Sequence, residues 1–168
     1  MKLPLSLWLL SFCLLSGPAQ VYAEKPYFGL SIADISAEVA NGSNENLGTI
    51  SGTLGVQLLD FIGVELVIGR ASDRTGSIWK DPLISYQAVM LRLSYRWNSV
   101  GVYVLGGQAR LDIDEQLNIG DDGNAFGFGL NLYGNNTTSL NLRVLNIDDG
   151  SVGVASIGFQ YFFGGFAK

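Results

Sequence analysis

The stretch from Tyr86 to Trp97, YQAVMLRLSYRW, decides the fold of this 168-residue chain. From Ala88 onward, every second side chain in it is bulky and apolar, and the positions between are small or polar except for Met90, with two arginines among them. The two sets are Val89, Leu91, Leu93, Tyr95, Trp97 and Ala88, Met90, Arg92, Ser94, Arg96. Strict alternation over this length predicts a β-strand with one apolar face and one polar face.

The same alternation recurs along the chain and gives eight predicted strands. They cover Pro26–Val39, Leu47–Leu58, Ile62–Ala71, Ile84–Trp97, Val100–Ile113, Asn124–Tyr133, Ser139–Ile147 and Val152–Phe163. The connections between them alternate between short turns, such as Asn98-Ser99, and longer polar loops, such as Ser72–Leu83. Short turns at one end and longer loops at the other are typical of bacterial outer-membrane barrels.

The phase of the alternation needs a choice in two strands. The first strand loses its alternation near Asp34, where we predict a β-bulge. In the fifth strand we assign the apolar face so that Gln108 and Arg110 lie on the polar side. That choice puts four residues on the apolar face: Tyr103, Leu105, Ala109 and Leu111.

Which of the two strand faces points into the barrel distinguishes a membrane barrel, with its apolar face outside, from a soluble one, with its apolar face inside. A small eight-stranded barrel has room inside only for its side chains. The bulky Phe, Leu, Val, Tyr and Trp residues would overfill such a lumen, whereas the small polar residues fit it. The strands also lack the lysines and glutamates that a water-exposed outer face needs. We therefore predict an all-β fold, an eight-stranded antiparallel up-and-down transmembrane β-barrel in the outer membrane. A soluble lipocalin-like periplasmic carrier is the alternative.

Composition and the N-terminal segment narrow the function further. Lys2 precedes an apolar run that is too short to span a bilayer, so residues 1–23 are predicted to be a secretory signal peptide and residues 24–168 the barrel. The net charge of −5 argues against a nucleic-acid partner. The chain has no histidine, which removes the usual general base and zinc ligand, and its single cysteine excludes a disulfide scaffold.

Three segments carry a resemblance to a known family: Val64-Glu65-Leu66, Tyr103–Gly107 and Ile157–Phe163. With them, the mature chain resembles the small eight-stranded outer-membrane β-barrels related to the transmembrane part of OmpA, OmpX and the opacity-type proteins. The resemblance implies an assembly signal for the barrel-assembly machinery at alternate positions of the last strand: Ile157, Phe159, Tyr161 and Phe163. The family usually stops at this phenylalanine, whereas here Gly164–Lys168 follow.

The resemblance also bears on activity. Barrel enzymes of this size, such as lipid A deacylases and palmitoyltransferases, rely on a catalytic histidine that this chain lacks. The chain is therefore expected to be a non-enzymatic monomer without cofactors, with a structural or surface-interaction role in envelope integrity or adhesion. Its expected partners are outer-membrane lipid and lipopolysaccharide. A narrow channel for ions or small apolar compounds is an alternative.

Charged residues on the polar face predict a network in the lumen. If Ile62 lies opposite Trp97, Glu65 is nearly level with Arg92, and the two form an interior ion pair. Arg96 and Arg143 extend the network, as do Arg110 and Gln57. Such a pair is either a gate or a plug that stabilises the barrel, and the plug is favoured because a lone buried charge is costly.

Two features lie outside the lumen. Aromatic residues beside the short turns and at the ends of the barrel chain predict an interfacial girdle: Phe28, Phe61, Tyr95, Trp97, Tyr133 and Phe163. Carboxylates gather in the longer loops: Asp112, Asp114, Glu115, Asp121, Asp122, Asp148 and Asp149. Their spacing departs from a calcium-binding EF-hand loop, so a solvated acidic surface is favoured over a metal site.

Overall fold

The computed structural model describes residues 25–38, 44–71, 84–113, 122–147 and 152–164, which form eight β-strands. They are β1 Lys25–Glu38, β2 Asn44–Gln57, β3 Ile62–Ala71, β4 Ile84–Trp97, β5 Val100–Ile113, β6 Asp122–Tyr133, β7 Thr138–Ile147 and β8 Val152–Phe162. The predicted strand number and order are confirmed, and the predicted bounds agree to within a few residues. Among the described residues, no helix is long and apolar enough to cross a membrane.

The eight strands close into an antiparallel barrel in which each strand pairs with its sequence neighbours and β1 pairs with β8. Following backbone partners once around the barrel leads from Tyr27 to Ala37, a stagger of ten residues. Such a stagger requires strands tilted by roughly 35–45° to the barrel axis. Closure removes every free sheet edge, which a membrane-spanning sheet needs because lipid satisfies no backbone hydrogen bonds.

The pairing of β1 corrects one prediction. It runs without interruption from Lys25 opposite Gln57 to Glu38 opposite Asn44, and the pairing with β8 is equally regular. The predicted bulge at Asp34 is therefore wrong. Asp34 lies at a regular outward position and is exposed.

The turns at one end of the barrel follow from local chemistry. Asn98 adopts a left-handed backbone conformation, with φ of 53°, in the two-residue turn between β4 and β5. Asparagine tolerates this region better than most residues. Between β6 and β7, the Asn135 Oδ1 atom accepts hydrogen bonds from the backbone N–H groups of Thr137 and Thr138 at 2.8 and 2.7 Å. We call this end the turn side and the opposite end the loop side.

The bulky apolar residues face outward, as predicted. Trp97 is 74 % exposed and Phe159 71 %, which in water would be a large uncovered apolar surface. The outward residues form a continuous apolar belt. On each strand the belt ends, toward the loop side, at one residue. In the order β1 to β8 these residues are Ile32, Ile50, Ile68, Val89, Val104, Phe126, Val144 and Ile157.

The pattern inverts on the loop side of the belt. There the outward positions become polar, as at Asp34, Arg70, Gln87 and Asn124. The inward positions become apolar and are almost fully buried. This inner group, the apolar seal, consists of Ile35, Tyr86, Leu111, Leu145, Ile147, Val152 and Val154. Val67, Met90 and Leu105 are also buried inside the barrel, but at the level of the belt. The strands therefore extend beyond the belt with a core of their own.

This inversion overturns the predicted phase of β5. Tyr103 and Leu105 point into the lumen and are 3 % and 1 % exposed, while Val102 and Val104 face outward. Ala109 and Leu111 are buried inside as well. The prediction assumed that polar residues face inward along the whole strand. Gln108 and Arg110 instead face outward because they lie past the belt, where the outer surface is polar.

Tyrosine rings on the inner wall lie against glycines on the neighbouring strand. Tyr27 is opposite Gly55, Tyr86 opposite Gly69 and Tyr103 opposite Gly129. In each case an added Cβ on the glycine would collide with the tyrosine ring. These glycines let large rings lie flat along the wall, which leaves the lumen axis free for the polar groups described next.

Candidate functional site

The carboxylate of Glu65 occupies the middle of the lumen and is completely buried. Its Oε1 atom accepts hydrogen bonds from Arg92 Nη1 and from the Tyr27 hydroxyl, each at 2.6 Å. Its Oε2 atom accepts from Arg143 Nη2 at 2.8 Å. A buried carboxylate is stable only when its oxygens are paired in this way. Glu65, Arg92 and Arg143, which the sequence placed in one network, are brought together in the structure.

The register between β3 and β4 differs from the predicted one. Ile62 lies opposite Leu93 rather than Trp97, and Glu65 lies opposite Met90. The prediction took the turn-side ends of β3 and β4 as level, whereas strands in a tilted barrel are staggered. Arg92 is two residues from Met90 on the same inward face, so it reaches Glu65 diagonally.

A second layer of polar side chains holds the arginines. Arg143 Nε donates to the Tyr103 hydroxyl, and Arg143 Nη1 donates to Thr53 Oγ1, both at 3.3 Å. Asn141 Nδ2 donates to the same tyrosine hydroxyl and to Asn131 Oδ1, each at 2.6 Å. The network thus joins side chains from β1 to β7. We name these residues the lumen cluster: Tyr27, Thr53, Glu65, Arg92, Tyr103, Asn131, Asn141 and Arg143.

The lumen cluster contains two guanidinium groups and one carboxylate, so it holds a surplus positive charge. The Arg92 guanidinium carbon lies 3.8 Å from the centre of the Tyr103 ring and 5.5 Å from that of Tyr27. The negative face of an aromatic ring attracts a cation most strongly where water is excluded. The two rings therefore offset the surplus charge that Glu65 leaves unpaired.

The sequence pattern does not identify five members of the lumen cluster, which are Tyr27, Thr53, Tyr103, Asn131 and Asn141. The predicted phase of β5 puts Tyr103 on the opposite face, and the predicted bulge hides the phase of β1. Once it is known which residues of each strand point inward, these residues can be recognised. They are inward-facing polar or aromatic residues in the turn-side half of the barrel, where the other inward side chains are small.

Three residues predicted to join the network do not join it. Arg96 lies at the turn-side rim, is exposed, donates from Nε to the Asn98 carbonyl oxygen at 2.9 Å and stacks on Tyr133 at 4.2 Å. Gln57 donates to the carbonyl oxygen of Asp60 in the adjacent turn. Arg110 faces outward on the loop side. Arg96 and Gln57 lie too close to the turn-side end of the barrel to reach Glu65. Arg110 lies on the loop side of the belt, where polar residues face outward.

The remaining predicted residues lie on the outer surface. Ile157, Phe159, Tyr161 and Phe163 all face outward, three on β8 and the last just after it. Tyr161 and Phe163 pack against Phe28 with ring centres 5.8 and 5.9 Å apart. Their role as an assembly signal stays a prediction.

The predicted girdle is present except at Tyr133. Phe61, Tyr95 and Trp97 are exposed on the turn side. Tyr133 instead occupies an inward position and packs against the buried ring of Phe162, with centres 6.1 Å apart. Of the acidic loop residues, Asp112 and Asp122 are described and face outward. The others, like the predicted signal peptide at residues 1–23, lie outside the described residues.

Replacing Tyr27 with phenylalanine should lower the free energy of unfolding by about 1.5–3 kcal/mol, the range for a hydrogen bond to a charged group. The ring and its fit against Gly55 would remain, so the loss reports the hydroxyl group, which donates to Glu65 and accepts from Arg92 Nη1 at 3.4 Å. Urea titration in detergent micelles measures the change. Tyr95→Phe, on the exposed outer surface, is the control and should leave stability unchanged.

The comparisons with known proteins agree with this architecture. Residues 5–163 match the family model described as outer membrane protein beta-barrel domain. Ail, the attachment invasion locus protein of Yersinia pestis, has a similar structure, with 16 % identity and a TM-score of 0.59 over 83 % of this chain and 98 % of that one. The N-terminal β-barrel domain of Pseudomonas aeruginosa OprF is similar with 14 % identity and a TM-score of 0.58 over 82 % and 97 % of the two chains. No curated protein matches the chain. The chain belongs to the outer membrane protein beta-barrel domain family and is a protein of the outer membrane.

Proposed function

We propose that this protein is a monomeric, non-enzymatic outer-membrane barrel with a closed lumen, which acts through its surface in envelope integrity or adhesion. The observation that carries the proposal is the double blockage of the lumen. The lumen cluster ties seven strands together around Glu65, and the apolar seal fills the barrel on its loop side. An ion would have to pass both.

The two blockages differ in kind, which matters for the channel alternative. The lumen cluster is polar and could rearrange around a hydrated ion. The apolar seal cannot solvate an ion, and hydrophobic constrictions of this kind block conduction by excluding water. On the turn side the lumen is polar, and Ser139 Oγ and Gln160 Oε1 are buried there without a hydrogen-bond partner. Internal water fits such groups. This favours a water-containing vestibule that ends at the seal.

The chemistry of the lumen supports a role without catalysis. Glu65, the buried carboxylate of the lumen cluster, is held by two arginines and a tyrosine, so it is not placed to exchange protons with a substrate. The chain contains no histidine. Outer-membrane lipid would contact the apolar belt, and the last strand would direct assembly through the barrel-assembly machinery.

A role at the cell surface is supported by the polar outer surface on the loop side and by the similarity of the fold to Ail. The outer surface beyond the belt carries charged and amide side chains that water or a partner can contact, such as Asp34, Arg70 and Asn124. Ail, to which the fold is similar, is named for attachment and invasion. Expression of this chain on a non-adherent bacterium would measure the adhesive contribution, with a version carrying shortened loops as the control.

Planar-bilayer recordings test the closed lumen. The unaltered protein should give no discrete openings, and Glu65→Ala should give none either, because the apolar seal remains. Adding Leu145→Ser and Val154→Ser, two seal residues that lie opposite each other on β7 and β8, to Glu65→Ala should admit water and produce measurable current. Robust openings in the unaltered protein would establish the channel alternative. Openings in Glu65→Ala alone would show that the lumen cluster is the only barrier.

A further inference from the structure

The turn-side half of the lumen contains more positive than negative charge. Among the described residues, five charged side chains occupy inward positions between the apolar seal and the turn-side mouth: Lys25, Glu65, Arg92, Arg96 and Arg143. Glu65 is the one anion of this group, and it is buried together with Arg92 and Arg143. The rings beside Arg92 offset part of the surplus but carry no net charge. A counter-ion would therefore be stabilised in this part of the barrel.

Arg92 has hydrogen-bond donors without an acceptor. Its hydrogen bonds to Glu65 Oε1 and to the Tyr27 hydroxyl are both donated by Nη1. Within the described part of the chain, Nε and Nη2 donate to no protein atom, and neither atom is fully enclosed. Arg143 differs, because each of its three nitrogens donates to a described oxygen atom. The Nε–Nη2 edge of Arg92, the kind of edge that pairs with an anion, is therefore available.

Two buried polar side chains on the opposite wall of the barrel lack partners. Neither Ser139 Oγ nor Gln160 Oε1 makes a hydrogen bond within the described residues, although the two residues are only 2 % and 3 % exposed. They lie opposite each other on β7 and β8. The Ser139 hydroxyl can donate, and rotation of its amide lets Gln160 present Nε2 to the same space. Buried polar groups normally have a partner, so this pair indicates water or a ligand.

The stagger of the barrel places these groups around one space. Ten residues of stagger over eight strands shift the level by little more than one residue per strand. Six inward residues then lie at nearly one height, and we define the vestibule by them: Tyr27, Gly63, Ser94, Asn131, Ser139 and Gln160. Gly63 and Ser94 place no large side chain opposite Ser139 and Gln160. Arg92, the next inward residue of β4 toward the loop side, borders the vestibule.

Side chains from opposite walls meet inside this barrel. Arg143 on β7 donates to Glu65 on β3, four strands away, at 2.8 Å. Arg92 on β4 is likewise four strands from Gln160 on β8. A ligand in the vestibule can therefore contact Arg92 and the pair of Ser139 and Gln160 at once.

The mouth of the vestibule favours small ions of negative charge. The inward rings of Tyr133 and Phe162 come next toward the turn side, with centres 6.1 Å apart, and they narrow the entrance. Arg96 stacks on Tyr133, and Lys25 occupies an inward position at the start of β1. These cations raise the local concentration of anions.

We propose that the vestibule binds one small monovalent anion, of the size of chloride or formate. The Nε–Nη2 edge of Arg92, the Ser139 hydroxyl and the Gln160 amide nitrogen donate hydrogen bonds to it. The ion supplies the counter-charge that a single carboxylate cannot give to two buried guanidinium groups. Water alone satisfies Ser139 and Gln160 but leaves that charge uncompensated. The site goes beyond a closed lumen, because a closed lumen needs no ligand.

The chloride dependence of unfolding tests the site. The full chain is refolded in zwitterionic micelles at constant ionic strength, with chloride replaced in steps by gluconate, which is too large for the vestibule. A ligand that binds only the folded state multiplies the folding constant by 1 + [L]/Kd. Each tenfold increase in chloride above Kd should therefore raise that constant about tenfold in urea titrations. Formate should act like chloride.

Ser139→Ala removes a donor that has no partner unless an ion is bound. In gluconate its stability should equal that of the unaltered protein, while its response should require several-fold more chloride. Glu65→Gln should respond at lower chloride concentrations, because it increases the positive surplus with little change in shape. Ser99→Ala, in the exposed turn between β4 and β5, is the matched control and should respond like the unaltered protein. Gel mobility with and without heating shows that each variant folds.

Anomalous diffraction from crystals soaked in bromide locates the ion, with a peak expected between Arg92 and Ser139. The proposal is overturned if chloride and gluconate give equal stability, or if Ser139→Ala and Ser99→Ala respond alike. A vestibule without a bromide peak would hold water alone, which also overturns it. The same holds if Arg96→Gln abolishes the chloride response while Ser139→Ala keeps it, because the ion then belongs to the exposed mouth.

Discussion

Replacing Glu65 with alanine should lower the free energy of unfolding by about 3–5 kcal/mol, the cost of removing one partner from a buried ion pair. The substitution leaves Arg92 and Arg143 facing each other in the lumen with no anion between them. Both guanidinium groups are almost fully buried, so water cannot replace the lost carboxylate. Tyr27 also loses its hydrogen-bond acceptor.

Urea unfolding in detergent micelles measures this loss, followed by the gel mobility difference between the folded and heated barrel. Glu65→Gln separates charge from shape, since it keeps one acceptor oxygen and should recover part of the loss. Asp112→Ala removes an exposed outward carboxylate on β5 and should change stability little. Equal midpoints for Glu65→Ala and the unaltered protein would show that the lumen cluster contributes nothing to stability.

Replacing Gly129 with alanine should cost about 1–3 kcal/mol, the usual range for overpacking a well-packed interior. The added Cβ would collide with the Tyr103 ring and approach the carbonyl oxygen of Leu142. Moving Tyr103 disturbs its bonds with Asn141 and Arg143 and its contact with Arg92. The effect of adding one methyl group to the barrel wall therefore extends to the lumen cluster.

The matched control lies on the adjacent strand. Gly106→Ala makes the same chemical change at an outward position where nothing lies within 4 Å. Its stability should equal or exceed that of the unaltered protein, because alanine restricts the unfolded chain more than glycine does. If both substitutions cost the same, strand propensity would explain the effect, and the fit between Gly129 and Tyr103 would not.

The sequence predicted the architecture well because a single physical rule governs it. Alternation marks strands, and the contrast between bulky and small residues marks the lipid face, as the stretch Tyr86–Trp97 illustrates. The rule failed where the environment changes along one strand. In β5 the outward residues pass from Val104 in the belt to Arg110 in water, while the inward residues remain apolar. No single phase assignment that equates inward with polar describes that strand.

The ion cluster was predicted in part for a similar reason. Glu65 and Arg92 could be recognised because charges inside a narrow barrel must pair. The stagger between strands was not readable from the sequence, because it is set by closure of the whole barrel and not by any one hairpin. Stagger decides which polar side chains share a level, so Arg143 entered the cluster and Arg96 did not.

The inversion above the belt has a mechanical consequence. About nine to eleven residues of a tilted strand suffice to cross a bilayer, whereas β1, β2, β4 and β5 each have 14 residues. The extra residues of these four strands continue the sheet past the belt on the loop side, where backbone hydrogen bonds pair β1 with β2 and β4 with β5 around the apolar seal. A load applied to the loop-side ends of these strands therefore passes through the hydrogen-bonded sheet into the belt.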